Sequence, residues 1–259
     1  MLLCPTLPFA SLSLRGALSA IRAAGYQDID LWSVPGMCMH TRVDEDAFRQ
    51  TAQALALFDV RCAVLSLYHH DPEHLAIGVR LAPMLGADTV VFAPRMAYAA
   101  FDDFVGVLAQ LVPVAERSGV RLAIENHIKT SIDTLDSMRR ALERLGSANV
   151  GVCLAPPHSA AVGENPRRVY DALGGRCFVV YLWNVKYGYE ASRDGEQYGS
   201  AEDQLPGSGG LDLSWIPIGS RSAHTVLMFH GARWNQPTMI TRLRQARSQA
   251  TAGGASGSS

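Results

Sequence analysis

The strongest constraint on this chain is its rhythm. Short apolar runs rich in β-branched residues alternate with longer segments whose apolar residues recur three and four apart, in one order from end to end. The runs at 2–6, 27–31, 60–67, 89–92, 120–125, 150–154, 177–183 and 225–229 predict eight strands. Between them, 12–24, 44–58, 72–85, 101–118 and 131–145 each present one apolar face at helical spacing. Gly25, Gly86, Gly119 and Gly146 each follow a helical segment where a left-handed residue would stop it, and Asp44, Ser131 and Asp212 are placed to cap helix starts. Strand starts recur about every 30 residues, widening to roughly 50 before the last. This pattern predicts an α/β fold, a closed (β/α)8 TIM barrel forming a single domain over 1–249. An open doubly wound sheet fits less well, since no G-x-G-x-x-G follows the first strand. Residues 250–259 are Gly, Ser, Ala and one Thr, and are expected to be a disordered tail.

Composition narrows the function. Of 259 residues 48% are apolar, 18% are charged and the net charge is −1. That is enough apolar residue for a sizeable core and too little positive charge for a dedicated nucleic-acid binder. The longest apolar stretches, such as 90–93 and 177–183, fall well short of the roughly 20 residues a membrane helix needs. No membrane partner is expected. With no secretory leader pattern after Met1, a cytoplasmic location is expected. Five cysteines without a C-x-x-C pair read as buried reduced thiols. The basic residues are 21 Arg against two Lys, Lys129 and Lys186, which leaves few candidate amines.

A barrel places its active site at the C-terminal ends of its strands. In strand order that face carries Trp32 and His40, then Tyr68, His69 and His70, then Pro94 and Arg95. Glu125, Asn126 and His127 follow, then Ala155 and His158, Asn184 and Lys186, and His230. Six of the eight histidines fall there, more than an even scatter would give. Glu125 ends an apolar strand, where an unpaired charge is costly, so it must ligate, act as a base or form an ion pair. Lys186 suits an electrophile or an amine nucleophile, although a solvated loop lysine has the same signature. The glycines of 207–210 suit a phosphate loop or a lid equally well.

With these residues placed, the chain resembles the xylose isomerase-like TIM-barrel family, which includes sugar isomerases and epimerases, inosose dehydratases, hydroxypyruvate isomerases and endonuclease IV. Four segments carry the resemblance: 25–31 (GYQDIDL), 122–127 (LAIENH), 151–158 (GVCLAPPH) and 204–212 (QLPGSGGLD). The resemblance implies a divalent metal held by Glu, Asp, His and Glu at the ends of the fifth to eighth strands. Glu125 matches the first position, whereas Ala155, Tyr181 and Met228 stand at the other three. Alanine offers no ligand atom, and a thioether is a weak ligand for a hard cation.

The expected function is therefore acid/base proton transfer next to a carbonyl of a small hydroxylated or cyclic metabolite: isomerisation, epimerisation, dehydration or rearrangement without the family's metal. Glu125, His158, His230 and Lys186 are the expected catalytic residues, and Trp32, His69, Arg95, His127, Tyr181 and Asn184 the expected substrate contacts. No cofactor is expected. A divalent metal, if one is held, falls to Glu125, His158 and His230, whose nitrogens favour zinc or another transition metal. Two alternatives stay open: a metal-dependent sugar isomerase or epimerase with substituted ligands, and a non-catalytic paralogue that binds a metabolite or partner. The expected partner is a small-molecule substrate, with a homo-oligomer open and nucleic acid excluded.

Overall fold

Short, nearly continuous apolar runs that are buried on both faces build parallel strands, and here they close on themselves. A computed structural model describes residues 2–94, 100–186, 199–219, 222–230 and 234–254. Its strands are β1 (Leu2–Pro5), β2 (Asp28–Val34), β3 (Cys38–Met39), β4 (Arg61–Leu67), β5 (Thr89–Phe92), β6 (Arg121–Glu125), β7 (Val150–Leu154), β8 (Cys177–Leu182) and β9 (His224–Leu227). Neighbours run β1-β9-β8-β7-β6-β5-β4-β2, and β1 also pairs with β2, with Cys4 opposite Ile29. Every pairing around that ring is parallel, so the fold is the single (β/α)8 barrel that the rhythm predicts. β3 is an addition. It pairs antiparallel with an extension of β2 beyond Leu31, and two residues without an apolar run leave no periodic signal.

The buried residues fall into two groups. Ile29, Leu31, Leu65, Leu67, Val90, Phe92, Leu122, Ile124, Val152 and Leu154 belong to the large cluster beneath the helices. Their alternates Trp32, Val64, Tyr68, Val91, Ala123, Cys153, Ala155, Tyr181, Trp183, Val226 and Met228 form a second cluster that fills the barrel.

The helices are α1 (Leu14–Ala23), α2 (Glu45–Leu57), α3 (Pro72–Leu81), α4 (Phe101–Ser118), α5 (Leu135–Leu145), α6 (Pro156–Ala161), α7 (Pro166–Leu173) and α8 (Gln236–Gly254). Gly119 and Gly146 end α4 and α5 in the left-handed conformation, with φ of 66° and 62°. Asp44 caps α2 by accepting from the Ala47 N–H at 2.8 Å. The expected cap at Ser131 is displaced: α5 is capped by Thr134, which exchanges hydrogen bonds with Ser137 in a capping box. Asp212 caps a turn instead, accepting from the Ser214 N–H at 3.0 Å.

α8 extends past the boundary expected at 250, to Gly254, and Ala250 is buried. That helix is held against the end of α1, where Arg244 donates to Ala23 O and Arg247 to Gly25 O, while Tyr26 donates to Leu243 O. Residues 255–259 lie outside the described residues. All five cysteines are buried and free. Among the described residues no helix is long and apolar enough to cross a membrane.

Candidate active site

Glu125 is the last residue of β6, and strand alternation turns it into the barrel beside Ala123. Its Oε2 accepts from the Tyr68 hydroxyl at 2.7 Å, and its Oε1 lies 4.0 Å from His158 Nε2. Tyr68 stands just past β4, with its ring stacked on Trp32 at 5.1 Å. Its hydroxyl also lies 3.0 Å from that of Tyr181 on β8. Burial pushes both phenols well above their usual pKa, with the Glu125 charge adding to the rise, so both stay protonated.

His158 enters from α6, whose two leading prolines fix the direction of the turn after β7. It is 1% exposed. The His127 ring lies 4.3 Å from it, and the Trp183 ring meets it edge-on at 5.1 Å. Burial holds His158 neutral far below the usual histidine pKa, with His127 and His230 adding to the effect. The His230 ring lies 5.2 Å from that of Trp183, and burial lowers its pKa to about 4. The site therefore pairs a carboxyl with an uncharged imidazole, and aromatic rings surround them.

One glutamine ties this wall together. Gln204 Oε1 accepts from Trp183 Nε1 at 3.1 Å and from the His230 N–H at 2.7 Å, and its Nε2 donates to His230 O at 3.2 Å.

The other expected residues are spread more widely. Trp32 lines the barrel, with Nε1 donating to Asp30 Oδ2 at 2.7 Å. His69 sits at the rim, 3.0 Å from Ser33 Oγ and stacked on His74. Lys186 is exposed on the loop after β8. Arg95 lies outside the described residues. Asn184, an expected substrate contact, has its amide bonded to its own loop. Its Oδ1 accepts from the Val185 and Leu211 N–H groups, and its Nδ2 donates to Leu211 O. Gly209 follows from the same contact, because a Cβ there would lie 2.2 Å from Asn184 Oδ1, and Gly207 takes a left-handed φ of 76°.

Asp30, Ser66 and Gln204 escape the sequence reading. Asp30 is fully buried inside the barrel, between Trp32 and Ser66, and shares the period-two face of Trp32. A carboxylate in the middle of an apolar strand is the same signal that singles out Glu125.

Of the four positions where the resemblance places metal ligands, Glu125 alone presents an anion. Ala155 offers a methyl group, Tyr181 a phenol engaged with Tyr68, and Met228 a buried thioether. A hard divalent cation requires several oxygen ligands, and these residues do not fit one. The substitute set of Glu125, His158 and His230 is also not formed: among the described residues no three His, Cys, Asp or Glu side chains converge on a common point.

Comparison with known proteins agrees with the architecture. The chain aligns at 16% identity and a TM-score of 0.73 with the probable 3-DHS dehydratase AsbF of Bacillus anthracis, involved in petrobactin synthesis, covering 96% of this chain and 98% of that one. An L-ribulose 3-epimerase gives 16% identity and a TM-score of 0.71, over 98% and 94% of the two chains. A xylose isomerase-like TIM barrel protein from Mycobacterium smegmatis, crystallised with magnesium, gives 13% and 0.74, over 98% and 97%. A sequence search of curated proteins finds no match. The family model described as xylose isomerase-like TIM barrel matches residues 18–217. This chain belongs to the xylose isomerase-like TIM barrel family.

Proposed function

We propose that this protein moves a proton next to a carbonyl in a small hydroxylated or cyclic metabolite, isomerising, epimerising or dehydrating it, with Glu125 as the base and without a divalent metal. The observation that carries this reading is the Glu125 carboxyl, buried at the C-terminal end of β6, 2.7 Å from the Tyr68 hydroxyl and 4.0 Å from the neutral His158. A carboxylate takes a proton from carbon, and an uncharged imidazole beside it accepts or returns one near neutral pH. His127, whose ring lies 4.3 Å from that of His158, and Lys186 on the loop after β8 would steady the oxygen on which charge develops. Trp32 and Trp183 give the site aromatic surfaces suited to a ring compound. The dehydratase and the epimerase among the structural neighbours support this class of chemistry.

The magnesium complex of the Mycobacterium smegmatis neighbour favours the second reading, a metal-dependent isomerase or epimerase with substituted ligands. The side chains at Ala155, Tyr181 and Met228 weigh against it. A binding-only role gives no reason to bury an acid beside a neutral histidine.

The test is hydrogen exchange from candidate hydroxy-ketones and cyclic hydroxy acids in deuterium oxide, comparing the natural chain with Glu125→Gln. Exchange is expected with the natural chain and lost in the variant; exchange that survives the substitution would remove Glu125 as the base.

A further inference from the structure

Four polar contacts run in single file across the barrel. Ser66 Oγ donates to Asp30 Oδ2 at 3.0 Å. Ser66 Oγ and the Tyr181 hydroxyl are 3.5 Å apart. The Tyr181 and Tyr68 hydroxyls are 3.0 Å apart, and Tyr68 donates to Glu125 Oε2 at 2.7 Å. Each end of the file is a carboxyl, and every group between is a hydroxyl. Asp30 is fully buried and Glu125 is 6% exposed.

A hydroxyl carries one hydrogen to donate. With both carboxyls ionised, three hydrogens must serve four contacts. Ser66 gives its hydrogen to Asp30, Tyr68 to Glu125 and Tyr181 to Tyr68, so the contact between Ser66 and Tyr181 has none. That contact is the longest of the four, beyond the usual O–H···O range. One proton added to either carboxyl supplies the fourth hydrogen, and all contacts then point the same way. With the proton on Asp30, each group donates onward and the file ends on an ionised Glu125. With the proton on Glu125, every bond reverses and Asp30 is the ionised end.

The surroundings of Asp30 favour a proton in the pair. Its Oδ1 is buried with no hydrogen-bond partner among the described residues, which a neutral acid tolerates far better than a carboxylate. Burial raises the Asp30 pKa to about 8; the bonds from Ser66 and Trp32 oppose the rise, and the Glu125 charge adds to it. The other titratable groups facing Asp30 are the thiols of Cys4, Cys38, Cys62 and Cys153 and the Tyr181 phenol, and burial keeps all of them protonated.

We infer that Asp30 and Glu125 act as one acid–base unit that holds a single proton between them and passes it through Ser66, Tyr181 and Tyr68. Asp30 is thus a positioning residue that decides whether Glu125 meets the substrate as a base or as an acid. In the transfer the Asp30 O–H bond breaks as a new one forms on Ser66. Ser66 releases its hydrogen to Tyr181, Tyr181 to Tyr68 and Tyr68 to Glu125. One proton moves in total, and no electrons are gained or lost. The consequence for catalysis rests on the proposed function; the shared proton does not.

The test is carboxyl carbon-13 NMR on the full chain labelled at Asp and Glu, titrated in four proteins: natural, Glu125→Gln, Tyr181→Phe and the double variant. Each substitution is nearly isosteric, and circular dichroism checks the fold. Asp30 is expected to titrate near pH 8 in the natural chain. Its midpoint should fall by about one unit or more in Glu125→Gln, and by less when Tyr181 lacks its hydroxyl. The inference is overturned by an Asp30 midpoint in the ordinary aspartate range, by one that ignores Glu125→Gln, or by a full response without the Tyr181 hydroxyl. No substrate is needed, so a failure to find turnover would count against the proposed function and leave this result standing. Once a substrate is found, Asp30→Asn, which can still donate to Ser66 but has no proton to release, should lose the limb of the pH–rate profile near 8. An unchanged profile would exclude a role for Asp30 in setting the state of Glu125.

Discussion

Tyr68 and Glu125 meet from the ends of two strands separated by β5, and the phenol donates to the carboxylate at 2.7 Å. A hydrogen bond to a charged acceptor contributes about 1.5–3 kcal/mol. Tyr68→Phe removes that donor and keeps the ring that stacks on Trp32. Glu125-dependent hydrogen exchange is expected to slow by roughly 10- to 100-fold. Thermal denaturation should place the variant close to the natural chain, which separates loss of chemistry from loss of fold.

Metal removal should change nothing. Dialysis against a chelator is expected to leave exchange activity intact, and elemental analysis of protein purified without chelator should find no stoichiometric Mg, Mn, Co or Zn. Activity that disappears on chelation and returns with one of these ions would decide for the metal-dependent reading.

Stability should fall in mild acid. The folded pKa of His158 lies well below its unfolded value, so between the two the unfolded chain binds a proton that the folded chain refuses. Each such histidine makes stability rise with pH by up to about 1.4 kcal/mol per unit, and the gain is lost as pH falls below about 6.5. His230 adds a second contribution, spread between about 6.5 and its folded value of about 4. Urea unfolding from pH 7 to 5 would measure the slope, which should be shallower in His158→Gln.

Two glycines should respond in opposite directions to alanine. At Gly209 the new Cβ would lie 2.2 Å from Asn184 Oδ1 and 2.4 Å from Val185 O, so Gly209→Ala should destabilise by roughly 1–3 kcal/mol. Gly106, exposed on α4, has nothing within 4 Å of its added Cβ, and Gly106→Ala should stabilise by about 0.5–1 kcal/mol. Melting temperatures of the two variants check both signs.

The barrel was legible because its signal is periodic: strands with alternating faces, helices with one apolar stripe, and glycines such as Gly119 and Gly146 at their ends. β3 was not, because two residues pair only through an extension of β2 that tertiary contacts create. In the site, Glu125 and His158 stood out as polar residues at the ends of apolar runs, and the structure brings them together. Asp30 and Ser66 lie within their strands, where a sequence does not say which face looks inward until the barrel closes. The surroundings of Asn184 were not legible either. Its place after β8 predicts a ligand contact, and only the fold reveals that loop 207–211 returns to bond its amide.

Gln204 has a consequence for how this protein could acquire a new substrate. One amide fastens the Trp183 wall, the His230 rim and its own loop, so these parts cannot be tuned one at a time. A single substitution at the rim would release its neighbours as well. Changes in specificity should therefore come as exchanges of whole loop segments around 199–211, and an engineer would do better to graft that segment intact than to walk through it residue by residue.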